Sequence, residues 1–343
     1  MSLKKLSVLI LGSTLCASAY SMAPIPKESG FSGFINLGAG AVGIESNTLA
    51  KTLRGNIDLS DESINDLNSG PGKETSPMPV FGMELAYTFA STRTQVFFGN
   101  RLEDYIRLDL STRAGVRQEV GKAGVIGANA LITAIATEVW EDPYVTSTKR
   151  DATDRSANGY RLNWSKIFGT GLELRYTNRD IDIDKENSGE TLVNQGEISA
   201  SESELLDRNG DTYTIDTRYT FNWAGGRHLL TPGISYTNYD LDGNAMAYES
   251  YGADVNYIYS INQWRFVVNA SYAELKRDQG NPIYGKKADA QQYGSSLTTF
   301  YASPFGLKGW LANATVAWFE ENNDINFYDT SLQLVTVGML KRF

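Results

Sequence analysis

The chain has 343 residues with 31 Lys and Arg, 40 Asp and Glu, and one cysteine. The formal net charge of −9 excludes the basic face that nucleic-acid binding requires, and a lone cysteine excludes an internal disulfide framework. After residue 19 no apolar stretch reaches about 18 residues, the length of a membrane-spanning helix.

The N-terminus has the pattern of a secretory signal peptide. Two lysines precede an apolar run, residues 6–15, and the small-residue sequence ASA follows it. We therefore predict cleavage near Ala19, with residues 1–19 as the signal peptide and residues 20–343 as one exported domain. Cys16 leaves with the signal peptide, so we expect an exported chain that has no cysteine.

The rest of the chain alternates between apolar and polar residues, which is typical of β-strands with one apolar face. From Tyr213 to Trp223 every second residue is apolar, aromatic or Thr, and the residues between them include Asp216 and Arg218. Similar segments predict fourteen strands. They lie near residues 31–44, 79–89, 94–100, 105–118, 123–139, 159–167, 172–180, 212–223, 229–238, 248–261, 265–276, 291–302, 310–320 and 331–343.

The connections between these strands alternate between short and long, as in outer-membrane barrels. The connection 101–104 departs from this rule because it is short on the long-loop side. Trp310 and Trp318 stand at the two ends of one apolar face, as the two aromatic girdles of a membrane barrel do. We predict an all-β protein: a transmembrane antiparallel β-barrel of about fourteen strands in a Gram-negative outer membrane, surrounded by lipid, with both termini in the periplasm.

The last predicted strand ends in a pattern that the barrel-assembly machinery reads. Phe343 is the terminal residue, and Gly338 lies five residues before it on an alternating strand. Lys341 departs from the pattern, because an apolar or aromatic residue is usual at that position. We expect the assembly machinery to be a partner during biogenesis.

The inward-facing positions of the predicted strands collect charged residues of both signs. Seven are arginines: Arg107, Arg113, Arg117, Arg161, Arg175, Arg179 and Arg218. Five are acids: Glu84, Asp109, Glu173, Asp216 and Asp254. One interpretation is a bore that favours anions, because rings of arginine attract them. The other is a structural network of paired charges, and the two can coexist.

The long predicted loops are rich in acids, and we expect them to be solvated. The run Asp180–Asp184 suggests a calcium loop, but Lys185 and Thr191 stand where the glycine and the bidentate glutamate belong. We therefore expect no metal site and no cofactor. A loop that folds inward and narrows the bore is left open by the sequence.

An enzymatic function is not expected. The single histidine, His228, falls in a predicted turn, where a histidine is usually exposed to solvent. No pair of carboxylates is placed around a substrate by the strand pattern. The glycine pair 225–226 fits a hairpin turn and not a phosphate-binding loop.

Four segments resemble an uncharacterised outer-membrane family of Gram-negative bacteria, the domain of unknown function 2860. They are APIPKESGFSGFINLGAG, FFGNRLEDYIRLDLSTRAGVRQE, TEVWEDPYV and SPFGLKGW. The resemblance implies an outer-membrane barrel and carries no activity with it. From the residues, we expect a passive channel for small hydrophilic solutes with a mild anion preference. The alternative is a plugged barrel whose acidic loops form a platform for surface attachment, recognition or phage binding.

Overall fold

The computed structural model describes residues 24–53, 55–100 and 110–343. The predicted signal peptide, the connection 101–104 and the predicted lumen residues Arg107 and Asp109 lie outside these ranges.

The described chain forms one closed antiparallel barrel of fourteen strands, which confirms the fold class and the strand count. The strands are β1 (Gly30–Glu45), β2 (Lys73–Phe89), β3 (Thr94–Asn100), β4 (Leu110–Glu119), β5 (Val125–Ile135, continued by Thr137–Trp140), β6 (Ala152–Ser165), β7 (Leu172–Ile183), β8 (Gly210–Tyr219, continued by Phe221–Trp223), β9 (His228–Leu241), β10 (Tyr248–Ile261), β11 (Trp264–Arg277), β12 (Ala290–Ala302), β13 (Trp310–Asn323) and β14 (Thr330–Arg342). Closure pairs every strand on both sides, so the ring has no free edge to expose to lipid.

Two strands begin well before their predicted starts, and one of them is β6, which begins at Ala152, seven residues before residue 159. β2 begins at Lys73, six residues before the predicted start, and it includes Pro77 and Pro79. Prolines indicate a break because they cannot donate to a sheet. Pro77 and Pro79 nevertheless lie within the pairing of β2 with β1, opposite Ala41 and Ala39.

The two faces of the strands differ in the way that a membrane barrel requires. On β11, Trp264, Val268 and Tyr272 point outward and are exposed, whereas Val267 and Leu275 of the other parity are buried. Large apolar side chains are exposed on the outer face of nearly every described strand. In a bilayer these side chains contact lipid, which removes them from water.

Aromatic side chains mark the two ends of this apolar band. Along the outer end of β6–β12 runs a row of outward tyrosines, Tyr160, Tyr176, Tyr213, Tyr236, Tyr251, Tyr272 and Tyr293, most of them in ring contact with the next. At the other end lie Trp223, Tyr259, Trp264 and Phe266, whose rings also pack together. Such belts stand where membrane meets water.

The barrel closes where β14 pairs with β1, from Phe34 opposite Arg342 to Glu45 opposite Ser331. Phe343 continues this seam, since its backbone amide and carbonyl both bond to Gly33. Gly338 leaves room at the seam: a Cβ there would lie 3.1 Å from Oδ1 of Asn313. The glycine thus lets Asn313 donate across β14 to Asn36 on β1, at 2.8 Å.

A charge placed on the outer face of β11 should destabilise the barrel more than the same charge placed in the lumen. Val268→Arg puts a guanidinium midway between the aromatic belts, which costs about 2–4 kcal/mol at a bilayer midplane. Ser271→Arg, on the inward and water-exposed face of the same strand, is the matched control. Urea unfolding in phospholipid vesicles measures both, and equal costs would contradict the assigned faces.

Candidate functional site

The ten described residues predicted to line the lumen all have the parity of the inward-facing side chains. Five are buried: Glu84, Arg113, Arg117, Glu173 and Arg175. The others, Arg161, Arg179, Asp216, Arg218 and Asp254, are half-buried. All of them belong to β2, β4, β6, β7, β8 and β10.

Several of these charges are paired. Arg113 forms an ion pair with Glu84, whose exposed fraction is 1%. Arg175 Nη2 lies 3.3 Å from Oε1 of Glu173 on the same strand. Such pairing offsets the large cost of burying a charge. The pairing favours the interpretation of these residues as a structural network.

A second set of ion pairs lies where the lumen is more open. Arg218 Nη2 is 3.1 Å from Oδ1 of Asp254 and 3.8 Å from Oδ1 of Asp216. Arg161 donates to the hydroxyl of Thr177 at 2.9 Å, and Arg179 donates to that of Ser111 at 3.1 Å. These guanidinium groups therefore reach a mixture of acids and neutral acceptors.

The inward face of β10–β13 carries a set of neutral polar side chains. Asn256 donates to Asn269, which donates to Ser296 at 2.9 Å, so a chain of side-chain hydrogen bonds crosses β10, β11 and β12. The hydroxyls of Thr298 and Thr315 continue it to β13, 3.0 Å apart. These amides and hydroxyls, which the sequence did not single out, lie on strands that also carry the inward charges Arg265 and Glu321.

The outer end of the barrel is covered by loops that fold together. We call this unit the outer cap: residues 46–53, 55–72, 141–151, 184–209, 242–247, 278–289 and 324–329. These loops and the strand ends below them share one apolar core. Its buried members are Tyr144, Ala157, Ile181, Leu192, Ile198, Leu206, Leu241, Ala245, Met246, Ala247, Ala288, Ile325, Phe327 and Tyr328. The expectation that the acidic loops are simply solvated is therefore wrong, because each also carries apolar side chains that need burial.

The core of the cap reaches across the barrel mouth. Tyr144 follows β5 and Tyr328 precedes β14, so their loops leave from nearly opposite sides of the ring. Their hydroxyls are nevertheless 2.6 Å apart, and Asn281 Nδ2 donates to the hydroxyl of Tyr328 at 2.6 Å. Fourteen strands about 4.8 Å apart make a ring roughly 28 Å across, so this contact requires loops that extend well over the opening.

Burial keeps these phenols neutral. Loss of solvation raises the pKa of Tyr144 well above its ordinary value of 10.0, and it raises that of Tyr328 as well. The two rings flank Phe327, which is fully buried between them and in contact with both. The centre of the cap is therefore an aromatic cluster with an uncharged hydrogen-bonded chain.

The first loop extends the cap down into the barrel. Its two short strands, Leu49–Thr52 and Ile57–Asp58, pair with each other, and the first pairs with the outer end of β5. A second apolar core joins this hairpin to inward side chains of β1, β2 and β14. Its buried members are Val42, Ile44, Ile57, Leu59, Met78, Leu332 and Leu334. Apolar packing thus fills the outer part of the lumen on this side.

Two buried arginines connect the loops to one another. Arg150, with 1% exposure, donates to the carbonyl oxygens of Asn47 at 2.8 Å and Asp61 at 2.6 Å, and it stacks 4.4 Å from the ring of Trp140. Burial lowers its pKa to about 10, so it remains charged at neutral pH. Its bonds to backbone carbonyls hold the first loop against the loop 141–151.

The second buried arginine is Arg208, in the loop 184–209. It lies 2.7 Å from Glu186 and donates to the carbonyl oxygen of Trp140 at 2.7 Å. Burial raises the pKa of Glu186, and the guanidinium of Arg208 opposes this shift. Asp142 makes another link, since its carboxylate accepts from the amides of Gly189 and Thr191 in the same loop.

That loop contains two short helices, α1 (Glu190–Gln195) and α2 (Ala200–Ser203). α1 buries Leu192 in the core of the cap. Ser199 and Glu202 form a capping box at the start of α2, in which each side chain accepts from the backbone amide of the other. Within the described residues no helix is both long and apolar enough to cross a bilayer.

His228 does not lie in a solvated turn, so that part of the sequence analysis is wrong. It begins β9 on the outward face, and its ring stacks on Trp223 with centroids 5.2 Å apart. Its Nδ1 is 2.7 Å from the hydroxyl of Tyr257. The histidine therefore belongs to an aromatic belt that faces lipid. The described part of the chain also holds no group of three or more His, Cys, Asp or Glu side chains arranged to bind a metal ion.

Comparison with protein-family models gives one match over nearly all of the described chain. A model described as "Protein of unknown function (DUF2860)" matches residues 30–340. A search of curated proteins gave no match.

Solved structures with a similar arrangement include channels and porins. The toluene transporter TodX of P. putida is 10% identical, with coverage of 95% of this chain and 92% of that one and a TM-score of 0.46. The CymD monoaromatic hydrocarbon channel is 11% identical, with coverage of 90% and 88% and a TM-score of 0.45. An anion-selective porin from Comamonas acidovorans is 10% identical, with coverage of 92% and 100% and a TM-score of 0.38. Similarity this low is no argument for a shared solute.

Removing one partner of the buried pair should cost more stability than removing both. Arg113→Met leaves the Glu84 carboxylate in a buried site without this guanidinium, which costs about 3–5 kcal/mol. The double variant Arg113→Met with Glu84→Gln removes both charges and should recover most of that loss. Urea unfolding in vesicles measures both variants, and a double variant as unstable as the single one would contradict the structural role of the pair.

Alkaline pH should open the cap. Because burial raises the pKa of Tyr144 in the folded cap above its unfolded value of 10.0, the protonated phenol stabilises the cap below pH 10 and this stability is lost as pH rises further. Ion current through the reconstituted barrel should therefore increase above pH 10. The variant Tyr144→Phe with Tyr328→Phe cannot ionise at these sites and should respond less. An equal response in both proteins would exclude this pair as the cause.

Proposed function

The chain belongs to the DUF2860 family, and we propose that it is a passive outer-membrane channel for small hydrophilic solutes whose outer mouth is closed by the cap until the cap moves. The observation that carries the proposal is a polar lumen beneath an apolar core that spans the mouth. Ser271 points into this lumen and is exposed to water. A lumen of charges, amides and hydroxyls suits solutes that exchange water for protein hydrogen bonds.

In the proposed orientation, the cap faces the outside, and the short turns and both chain ends face the periplasm. The longest described connections lie at the cap end, whereas every connection at the end where β1 begins and β14 ends has seven residues or fewer, as at the periplasmic end in barrels of this type. We also propose that β14, with Gly338 and Phe343, is the segment that the barrel-assembly machinery recognises. The exposed ring of Phe343 at the seam is accessible for such recognition.

The proposed solute preference is mildly anionic. Among the described lumen residues of the predicted set, six are arginines and four are acids. The excess is small, and ion pairs use much of it, so the preference should be weak. Arg161 and Arg179 have the inward parity and donate to the hydroxyls of Thr177 and Ser111, so replacing them changes the lumen charge without breaking either of the buried pairs described above.

The electrical test compares the barrel with a variant whose cap is weakened. Phe327→Ala removes the ring at the centre of the cap, a loss of about 3–5 kcal/mol for a large aromatic side chain. In planar bilayers the unmodified barrel should remain mostly closed, and the variant should open far more often. Glu190→Ala, an exposed cap position on α1, is the matched control. A variant that stays silent while folded would contradict the channel.

The selectivity test uses the open variant in a salt gradient. Replacing Arg161 and Arg179 together by Gln should shift the reversal potential toward cations, because the lumen loses two positive charges. A reversal potential that stays the same after both substitutions would exclude Arg161 and Arg179 as the source of the preference.

The alternative function is a recognition platform formed by the cap. The cross-mouth core favours it, because a rigid outer surface suits attachment or phage binding. Deleting residues 187–205 is a poor test of this alternative, since it removes Leu192 and Ile198 from the core. Exposed charges at Glu190 and Glu197 can instead be reversed to Lys without removing a side chain from the core. If the charge-reversed variant loses surface binding but keeps normal conductance, the result would favour the platform.

A further inference from the structure

The two ends of the barrel carry opposite charge. We call the turns and chain ends opposite the cap the short-turn rim: residues 24–29, 90–93, 119–124, 166–171, 224–227, 262–263, 303–309 and 341–343. This rim holds eight basic and two acidic side chains. The cap holds seven basic and nineteen acidic side chains over its described residues. A protein with a net charge of −9 therefore concentrates positive charge at one membrane surface.

The positive charge of the short-turn rim is accessible. Lys122, Arg227 and Lys308 are exposed and come from three turns spread around the ring. One of the two acids, Glu119, forms an ion pair with Arg93. The exposed rim therefore presents positive charge in several directions around its circumference.

Two turns of the rim expose a phenylalanine in an unfavourable backbone conformation. In the turn 166–169, φ is 52° at Lys166 and 50° at Phe168, and in the turn 303–306 it is 55° at Ser303 and 54° at Phe305. Residues other than glycine pay roughly 1–2 kcal/mol for this left-handed region. Phe305 is 97% exposed and Phe168 72% exposed. Two turns with the same unfavourable backbone conformation therefore each expose a phenylalanine ring that is not buried within the protein.

These turns are continuous with the surface that faces lipid. The ring of Phe168 packs edge-on against Trp164, which points outward from β6, with centroids 5.7 Å apart. Beside the other turn, Lys341 Nζ lies 5.5 Å from the ring of Trp310 and donates to the carbonyl of Lys308 at 3.1 Å. Basic and aromatic groups alternate at the level where acyl chains meet headgroups.

We propose that the short-turn rim binds the headgroups of anionic phospholipids, and that Phe168 and Phe305 insert into the leaflet beside it. Lysine and arginine near a membrane surface attract anionic headgroups, and an aromatic ring is stable at the boundary of headgroup and acyl chain. The lipid supplies the apolar contact that offsets the strained turns. In the orientation proposed above, this leaflet is the periplasmic one, but lipid selectivity does not depend on whether the barrel conducts.

Spin-label resonance measures the selectivity on the full exported chain, folded in phosphatidylcholine vesicles. Spin-labelled phosphatidylglycerol should associate about fivefold more strongly than spin-labelled phosphatidylcholine, the factor expected for one basic residue near each headgroup. The ratio should fall toward one in the triple variant Lys122→Ser, Arg227→Ser, Lys308→Ser. It should also fall at high salt, which screens exposed charges.

The control removes three exposed basic residues elsewhere, with Lys149→Ser, Lys185→Ser and Lys276→Ser. Since these lie in the cap and at the outer end of β11, the lipid preference should remain. No preference for phosphatidylglycerol, or an equal loss in both triple variants, would overturn the proposal. The fold of each variant is verified first by its resistance to SDS before heating.

A single-cysteine label tests the insertion of the phenylalanine turns. The exported chain is expected to contain no other cysteine, so Phe305→Cys and Gln263→Cys each carry one bimane label. Acyl-chain nitroxides should quench the label at 305 and leave the label at 263, on the short turn between β10 and β11, much brighter. Equal quenching of the two labels by the nitroxides would overturn this part of the proposal. Stronger quenching of the label at 305 by aqueous iodide would also overturn it, because it would show that the turn faces water or a soluble partner.

Discussion

The apolar core that the outer loops share across the barrel mouth determines what the rest of the molecule can do. A fourteen-strand ring is wide enough to leave an opening, and the loops meet over it with Phe327 buried between Tyr144 and Tyr328. Hydrogen bonds from the side chains of Arg150 and Arg208 to backbone carbonyl oxygens hold the peripheral loops to this centre. Because each loop depends on the others for burial, the cap should behave as one cooperative unit and not as separate flaps.

Beneath the cap, the lumen combines two kinds of wall. Paired charges such as Arg113 and Glu84 give the barrel a polar interior without leaving strong charges uncompensated. On β10 to β12, the chain from Asn256 to Ser296 adds donors and acceptors without net charge. Such a lumen is suited to small polar solutes and gives weak discrimination between signs of charge. Regulation would then come from the cap, with the lumen setting only the size and polarity of what passes.

The period-two alternation predicted the fourteen strands and the inward parity of the ten described residues of the predicted lumen set, since a barrel in lipid must keep one parity apolar. It could not predict the cap. Asp184, Glu190 and Glu197 make the loop 184–209 look solvated, while the apolar residues that it buries, such as Leu192 and Leu206, are too widely spaced for a periodic signal. The recurrence of such residues in every long loop was the available signal. Pairing partners such as Arg208 and Glu186 depend on tertiary contacts that no local pattern encodes.

Hydrogen–deuterium exchange of the protein in lipid vesicles tests the closed cap most directly. The amides of Ser147, Arg150, Ala245 and Asp278 bond to other loops of the cap, so they should be protected in the unmodified protein. Phe327→Ala should accelerate exchange in all the described cap loops together and leave the barrel strands protected. Rapid exchange of the unmodified loops, or a change confined to residues 324–329, would contradict a single cap that closes the barrel.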